Sequence, residues 1–394
     1  MKIYILFRNP FPYGMAPSQH VTCEALGLVA AGADVEVDVF VPPLDKAKDN
    51  GLPAQGVFRN IPYSYIHGKF RPSNFIGQVA SRFYNTIKTS FWGLRHFRKD
   101  DIVYSYGGDN LTLMLLTWAA HLKKSKIVVE LVEIPFYGGG LISRLRRWFD
   151  TTFLFPHFDA FVCISHTLMD FAKKYARPNT PIHLLSILVE DNEKQSFGSS
   201  PYNVPYIIHT GTMTEQKDGI SHILNGFARF KKKDKTGCRL VFTGPHANKD
   251  TCKYKTTIKE LGIENYVDLL GLIDTREELL NLQCHASMSI VYKVKNIQTH
   301  YCFATKIGEV LMAGIPLITT GVGEQNYYLS DKENAFVVNN DEELAEAIDY
   351  ILVNSEYAKQ IGQKGKVVAL TDFSPSLQGK KLYDFFIDII DKEV

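Results

Sequence analysis

The feature that most limits what this chain can become is an alternation that runs, stops and then starts again. Short runs rich in Val, Ile, Leu and Phe are each followed by a turn signal and a stretch of helical periodicity. In the first half such runs stand at 2–7, 35–41, 101–104, 126–131, 160–164 and 182–185. In the second half they stand at 205–209, 239–243, 266–270, 287–292, 315–319 and 335–338. Helices are predicted at 18–31, at 110–122, after the capping Ser165, and at 218–232, 250–261, 275–284, 305–313, 341–353 and 355–370. Continuous apolar strands separated by helices build a mostly parallel sheet covered on both faces. The stretch from Glu190 to Val204 breaks the pattern with Ser, Asn and Pro, as a linker does. At 394 residues the chain is also too long for one ordinary core. The expected fold class is therefore α/β, with two Rossmann-like lobes facing across a cleft: 1–190, a linker at 191–204, and 205–373. The amphipathic segment 374–394, set off by Pro375, is expected to be a helix able to pack back on the first lobe.

Composition removes several classes of function. The net charge of +2 gives no whole-chain case for nucleic acid. The six cysteines form no C-x-x-C pair and carry no zinc-ligand spacing, so free thiols in a reducing compartment are expected. The N-terminus enters an apolar run too short for a signal peptide, and the longest apolar stretch, Leu111 to Leu122, is too short for a membrane span. The expected location is the cytoplasm, with or without contact to the inner face of a membrane. Strand one is not followed by G-x-G-x-x-G, which counts against an NAD enzyme, and Gly138-Gly139-Gly140 lacks the Lys-Ser/Thr of a P-loop and reads as a loop.

Two clusters carry chemistry. In Ile207-Ile208-His209-Thr210-Gly211-Thr212-Met213-Thr214-Glu215-Gln216-Lys217 a strand runs into a glycine loop with a lysine before the next helix. Gly211 lets backbone approach a ligand closely, and a helix N-terminus and the Lys217 ammonium both attract a diphosphate; a merely solvated lysine is the alternative. In the second cluster, Phe303 to Ile318, a short helix begins at Thr305 or Lys306 and stops at Gly314-Ile315-Pro316. Its first N–H groups are open to phosphate oxygens. Glu309, one turn in, leans back toward that end and suits ribose hydroxyls; otherwise it is a surface helical glutamate.

Taken together these blocks resemble the group 1 retaining glycosyltransferases (glycosyltransferase family 4, GT-B fold). The Gly14 loop, Ala31-Gly32-Ala33-Asp34-Val35-Glu36-Val37, Cys163-Ile164-Ser165-His166-Thr167-Leu168, Gly211 with Lys217, Phe242-Thr243-Gly244, Val267-Asp268-Leu269-Leu270-Gly271 and Lys306-Ile307-Gly308-Glu309 through Pro316 follow that family's order over nearly the whole chain. The resemblance implies transfer of a sugar from a nucleotide-sugar donor, held mainly by the C-terminal lobe, to a saccharide or lipid-linked acceptor in cell-surface polysaccharide synthesis. It implies that Lys217 neutralises the leaving diphosphate, Glu309 holds the ribose, and the backbone at Leu272-Ile273 faces the base. Gly211, Thr212, Gly244, Thr305 and Lys306 complete the donor side, while Gly14, His20 and Glu133 stand on the acceptor side. No metal or other cofactor is expected. A nucleotide-sugar epimerase of the same fold and a non-catalytic nucleotide-sugar-binding subunit are the competing readings.

Three positions depart from the family pattern. Tyr301 stands where the first glutamate of Glu-x7-Glu belongs, so the identity of the sugar stays open. Thr212 replaces the arginine after the loop glycine, which puts more of the phosphate load on Lys217 and Lys306. Glu130-Leu131-Val132-Glu133-Ile134-Pro135 occupies the place of the N-lobe histidine, with Glu133 either a polar group for the acceptor or a solvated glutamate. His20 is expected either to face the acceptor or to lie on the helix surface.

A last signal is local. Between Lys69 and Lys99 the basic residues Lys69, Arg71, Arg82, Lys88, Arg95, Arg98 and Lys99 are interleaved with Phe70, Phe75, Phe83, Tyr84, Phe91, Trp92 and Phe97, with no acidic residue among them. Arg144, Arg146 and Arg147 form a second knot. An anionic membrane surface is one partner such a span fits; a helix with its aromatics packed inward is the other reading.

Overall fold

The computed structural model describes the whole chain except residues 46–48, 50, 108–109, 136–139, 192–197, 246–247 and 392–394. Gly138-Gly139 and residues 192–197 of the expected linker therefore lie outside the described residues. The chain forms two compact units, Met1–Leu188 with Pro375–Val394, and Val189–Ser374.

The first unit holds β1 (Lys2–Phe7), α1 (Ala16–Ala30), β2 (Asp34–Val39), β3 (Gln55–Phe58), β4 (Ile61–Tyr65), α2 (Phe75–His96), β5 (Ile102–Tyr106), α3 (Asn110–Lys123), β6 (Lys126–Leu131), α4 (Leu141–Phe149), β7 (Ala160–Cys163), α5 (His166–Tyr175) and β8 (Ile182–Leu184). Its sheet runs β3-β4-β2-β1-β5-β6-β7-β8, parallel except for the edge strand β3. β6 is buried along its whole length and β1 nearly so, which is why their sequences show no polar alternation. Ser165 caps α5 by accepting the Leu168 N–H at 3.2 Å.

The second unit holds β9 (Tyr206–His209), α6 (Glu215–Asp218), α7 (Ile220–Lys231), β10 (Arg239–Thr243), α8 (Asn248–Glu260), β11 (Val267–Gly271), α9 (Arg276–Cys284), β12 (Met288–Val291), α10 (Ile297–Tyr301), α11 (Thr305–Ala313), β13 (Leu317–Thr320), β14 (Phe336–Val338), α12 (Asp341–Val353) and α13 (Ser355–Asp372). Its sheet, β11-β10-β9-β12-β13-β14, is parallel throughout.

The last helix, α14 (Pro375–Asp391), belongs to the first unit. It lies on α1, and glycines sit at the crossing. A Cβ added to Gly379 would stand 2.2 Å from the Gly27 carbonyl carbon, so the two backbones meet directly. Leu382, Phe386 and Ile389 are buried in the first unit's core, and the Phe386 ring lies 5.4 Å from that of Tyr104. Each such side chain contributes about 1.5–3 kcal/mol by leaving water.

One hairpin is absent from the sequence expectations. β3 and β4 turn through Arg59 and Asn60, both in the left-handed region (φ 51° and 66°). Two residues at positive φ are what a tight hairpin turn requires, but here no glycine announces it.

In each sheet the strand order reverses beside the first strand laid down. The chain builds outward from β1 to β2 and later returns to add β5, and it builds from β9 to β10 and β11 before adding β12. The carboxyl ends of β1 and β5, and of β9 and β12, are the topological switch points where sheets of this kind place ligands.

Candidate functional site

The switch point of the second unit gathers three glycine loops and two lysines. β9 ends at His209, and Gly211 follows at φ +101° with its N–H donated to the Thr243 carbonyl at 3.1 Å. Gly244, at φ +108°, presses against it: a Cβ there would stand 2.4 Å from the Gly211 oxygen. The Gly244 N–H in turn reaches the Gly271 carbonyl at 2.6 Å. Glycine is needed at both positions, for positive φ and for closeness.

Beneath this stack lies a buried charge cluster. Asp218, at the end of α6, is 3% exposed. Its Oδ1 accepts from the Lys306 ammonium at 2.6 Å and the Lys293 ammonium at 2.8 Å, and its Oδ2 accepts from the Thr214 hydroxyl at 3.0 Å. Burial alone would raise the Asp218 pKa, but the two lysines outweigh it and hold the carboxyl well below its ordinary range. Burial lowers Lys306 to about 8, with Lys293 acting in the same direction and Asp218 opposing. Lys293 is fixed by its backbone: its N–H donates to the Thr320 hydroxyl at 3.0 Å, and that hydroxyl donates to its carbonyl at 2.9 Å. Two ammonium groups on one carboxylate leave a positive excess in a dry setting, where an anion is attracted more strongly than in water.

Lys306 belongs to α11, which opens at the N-cap Ala304 with no side-chain cap. Its first N–H groups thus carry the helix's positive end. A Cβ on Gly211 would lie 3.4 Å from the Lys306 Nζ, so loop and helix start are neighbours. Thr305 is half-buried in that first turn. Glu309, one turn on, is half-buried rather than a surface residue; burial raises its pKa and the Arg276 guanidinium opposes the rise. His209 is buried and neutral, pushed down to about 3 by burial and by Lys306. Its Nδ1–H donates to the Ile290 carbonyl at 2.8 Å, and its Nε2 has no partner.

Lys217 is half-buried in α6, one turn of helix rather than a loop. Thr212 is exposed beside Gly211, Leu272 is exposed just past β11, and Ile273 is half-buried. Tyr301 ends α10, half-buried, with its ring edge-on to His300 at 5.4 Å. Asp218, Lys293 and His209 were not among the expected site residues. Asp218 was hidden by its place directly after Lys217, and Lys293 by lying outside any motif; its signal was its position just past the strand that closes the switch point.

The first unit has its own buried cluster. His20 was open to a helix-surface reading, but it is 3% exposed. Its Nε2 lies 2.8 Å from Glu130 Oε1 and 3.5 Å from Glu24 Oε1, and the Tyr104 hydroxyl donates to Glu24 at 2.7 Å. Burial opposes a charged imidazole, but Glu24 and Glu130 outweigh it and raise the His20 pKa. Burial and the Glu24 charge push Glu130 upward. The cluster lies on α1, β5 and β6, beside the switch point of this sheet. Gly14 is exposed in the loop before α1, where a Cβ would meet the Ser18 hydroxyl at 2.1 Å. Glu133 is exposed just past β6.

Residues 191–368 match the family described as glycosyl transferases group 1. The match lies within the C-terminal unit. Over 152 residues the chain is 26% identical to the trehalose synthase of Pyrococcus horikoshii, a match covering 38% of this chain and 35% of that one. The chain thus spans about a third of that relative. Solved structures share the fold of both units. The sucrose-phosphate synthase of Thermosynechococcus elongatus superposes with a TM-score of 0.74 at 12% identity, covering 99% of each chain. Anabaena HepE in complex with UDP and glucose gives 0.73 at 16%, covering 98% of this chain and all of the other. WaaG, a glycosyltransferase involved in lipopolysaccharide biosynthesis, gives 0.66 at 13%, covering 98% and 99%. The two α/β units are those of the GT-B fold.

Proposed function

We propose that the protein is a retaining glycosyltransferase whose C-terminal unit binds a nucleotide-sugar donor by its diphosphate and whose N-terminal unit receives a saccharide or lipid-linked acceptor for cell-surface polysaccharide synthesis. The observation that carries the reading is the pairing of Lys293 and Lys306 on buried Asp218, below the Gly211 loop and at the open start of α11. Asp218 holds both ammonium groups in place before the donor arrives, and the positive excess is then available to the phosphate oxygens. Pre-placed charge of this kind requires no reorganisation as the glycosidic bond breaks and the diphosphate gains charge. Lysines and a helix end supply there the positive charge that a divalent ion could supply. Glu309 stands one turn from those N–H groups and suits a ribose hydroxyl. Lys217 acts on the departing diphosphate, so Lys217→Ala lowers turnover more than it raises the Michaelis constant. The complexes of HepE with UDP, glucose and UDP-glucose support a nucleotide-sugar donor.

The test is slow donor hydrolysis in the absence of acceptor. Purified protein is incubated with UDP-, GDP- and ADP-sugars, and the first anomer released is followed by proton NMR. Initial release of the donor's own anomeric configuration is expected. Release of the opposite anomer overturns retention, and release of an altered sugar makes the protein an epimerase. Binding without turnover for any of these donors favours a non-catalytic subunit, the reading to which Tyr301 in place of a glutamate lends weight.

A further inference from the structure

The first unit wears part of its hydrophobic surface on the outside. α2 buries Asn85, Thr86, Thr89, Ser90 and Gly93, a face of small and polar residues. Thr86 meets Thr112 of α3 through their hydroxyls at 2.9 Å. Of the aromatics open to either reading, Phe97 is buried, whereas most of those along α2 point to solvent: Phe75 is 79% exposed, and Phe83, Tyr84 and Phe91 are exposed with Ile76 and Ile87. α3 buries Leu113, Leu116, Ala119 and Ala120 and yet also exposes Leu111, Met114, Trp118 and Leu122 along one stripe. α4 buries none of its residues and exposes Leu141, Ile142, Leu145 and Trp148, the first at 72%. A helix at a protein surface normally turns its apolar face inward; α2 inverts that rule, and α3 and α4 add exposed apolar stripes of their own.

These helices are neighbours. α2 packs on α3, and the Asn110 side chain at the start of α3 reaches the Arg146 carbonyl of α4 at 3.5 Å. Right-handed crossovers from β4 to β5, β5 to β6 and β6 to β7 all put their helices on the same sheet face, opposite α1. Exposed apolar stripes of this extent mark an interaction surface. The charge selects the partner. None of the three helices contains an acidic residue, while Arg82, Lys88, Arg95, Lys123, Arg144, Arg146 and Arg147 stand among the apolar side chains. Apolar groups that insert, flanked by cations and free of anions, match the interface of an anionic bilayer. No helix among the described residues is long and apolar enough to cross a membrane, so the geometry is that of a surface lying on one leaflet.

We propose that α2, α3 and α4 form a membrane-docking face that takes anionic phospholipid, with the α4 stripe inserting below the headgroups and the basic residues holding them. A lipid-linked acceptor would give this face a purpose, but the inference rests on the exposed stripes and not on the donor reading. Contact is therefore both electrostatic and apolar, and only the first part is screened by salt.

The test is co-flotation of the full chain with vesicles of phosphatidylcholine alone or with phosphatidylglycerol, at low and high salt. Binding to anionic vesicles is expected, reduced but not abolished by high salt. The triple change Leu141→Gln, Ile142→Gln and Leu145→Gln lowers partitioning at least tenfold and removes the salt-resistant part. These side chains are exposed, so circular dichroism and nucleoside diphosphate affinity stay as in wild type, which separates a failure here from a failure of the donor site. Wild type that does not float with anionic vesicles overturns the proposal, as does a triple variant that binds equally well. A wild-type dimer in light scattering that the triple change converts to monomer assigns the face to a second copy of the chain and overturns it too.

Discussion

The two units share one doubly wound plan and bury opposite charge beside their switch points. In the C-terminal unit one carboxylate, Asp218, holds two ammonium groups. In the N-terminal unit one imidazole, His20, holds two carboxylates. The first arrangement has positive charge in excess and attracts a phosphate, whereas the second has carboxylates in excess and repels one. The comparison therefore favours the C-terminal unit for the diphosphate of the proposed donor. It also separates what the units expose: the outward apolar stripes on α2, α3 and α4 belong to the N-terminal unit.

The strongest way to break this comparison is to remove the central group of each cluster. Asp218→Ala leaves two buried ammonium groups unpaired, and His20→Ala leaves two buried carboxylates. Each is expected to cost about 3–5 kcal/mol, read by urea unfolding. The parents should lose these contributions at opposite ends of the pH scale. The Asp218 pKa is depressed on folding, so its contribution is present above its ordinary 3.8 and is lost as pH falls through the lower folded value. The His20 pKa is raised on folding, so its contribution is complete below 6.5 and is lost as pH rises through the higher folded value. His20→Gln should therefore flatten the alkaline decline of stability and leave the acid limb unchanged. An unaltered alkaline limb would show that the imidazole is not charged in the folded state.

A smaller effect sharpens the same contrast. Glu309→Ala is expected to weaken nucleoside diphosphate binding by about 1.5–3 kcal/mol, the range for a charge-assisted hydrogen bond to a ligand hydroxyl. The fold should hold, because Glu309 is half-buried and acts on the Asp218 cluster only through the charge of Lys306. Calorimetric affinities equal to wild type would remove the ribose role, and Glu133→Ala serves as the matched control in the other unit.

The units also differ in how far they could be read from sequence. The parallel sheets were legible because β1, β6, β9 and β12 are short apolar runs separated by helical periodicity, a pattern set by local chemistry. The Gly211 loop and the Thr305–Ala313 helix were legible for the same reason, since positive φ and helix stops leave glycine and proline behind. Asp218 with Lys293 was not, because the residues are 75 positions apart and meet only when β12 is inserted beside β9. Glu24 and Glu130 were equally silent, although a glutamate inside the apolar run Ile127-Val128-Val129-Glu130-Leu131 must find a partner once that strand is buried on both faces. The outward aromatics of α2 were half legible: basic and aromatic residues stood out, but which face packed depended on the small polar side chains that fit against α3.

The central claim is that the Lys293–Asp218–Lys306 cluster is a diphosphate site, and calorimetric titration with UDP, GDP and ADP at pH 7 and pH 9.5 tests it most directly. Lys306 is held near 8, so its ammonium is present at the lower pH and largely lost at the higher one. The account predicts that at least one of the three binds wild type at pH 7, that its affinity falls about tenfold or more by pH 9.5, and that Lys306→Ala binds weakly at both. A tenfold change corresponds to about 1.4 kcal/mol. Wild type and Lys306→Ala binding with equal affinity at pH 7, or no binding of any of the three, would contradict it.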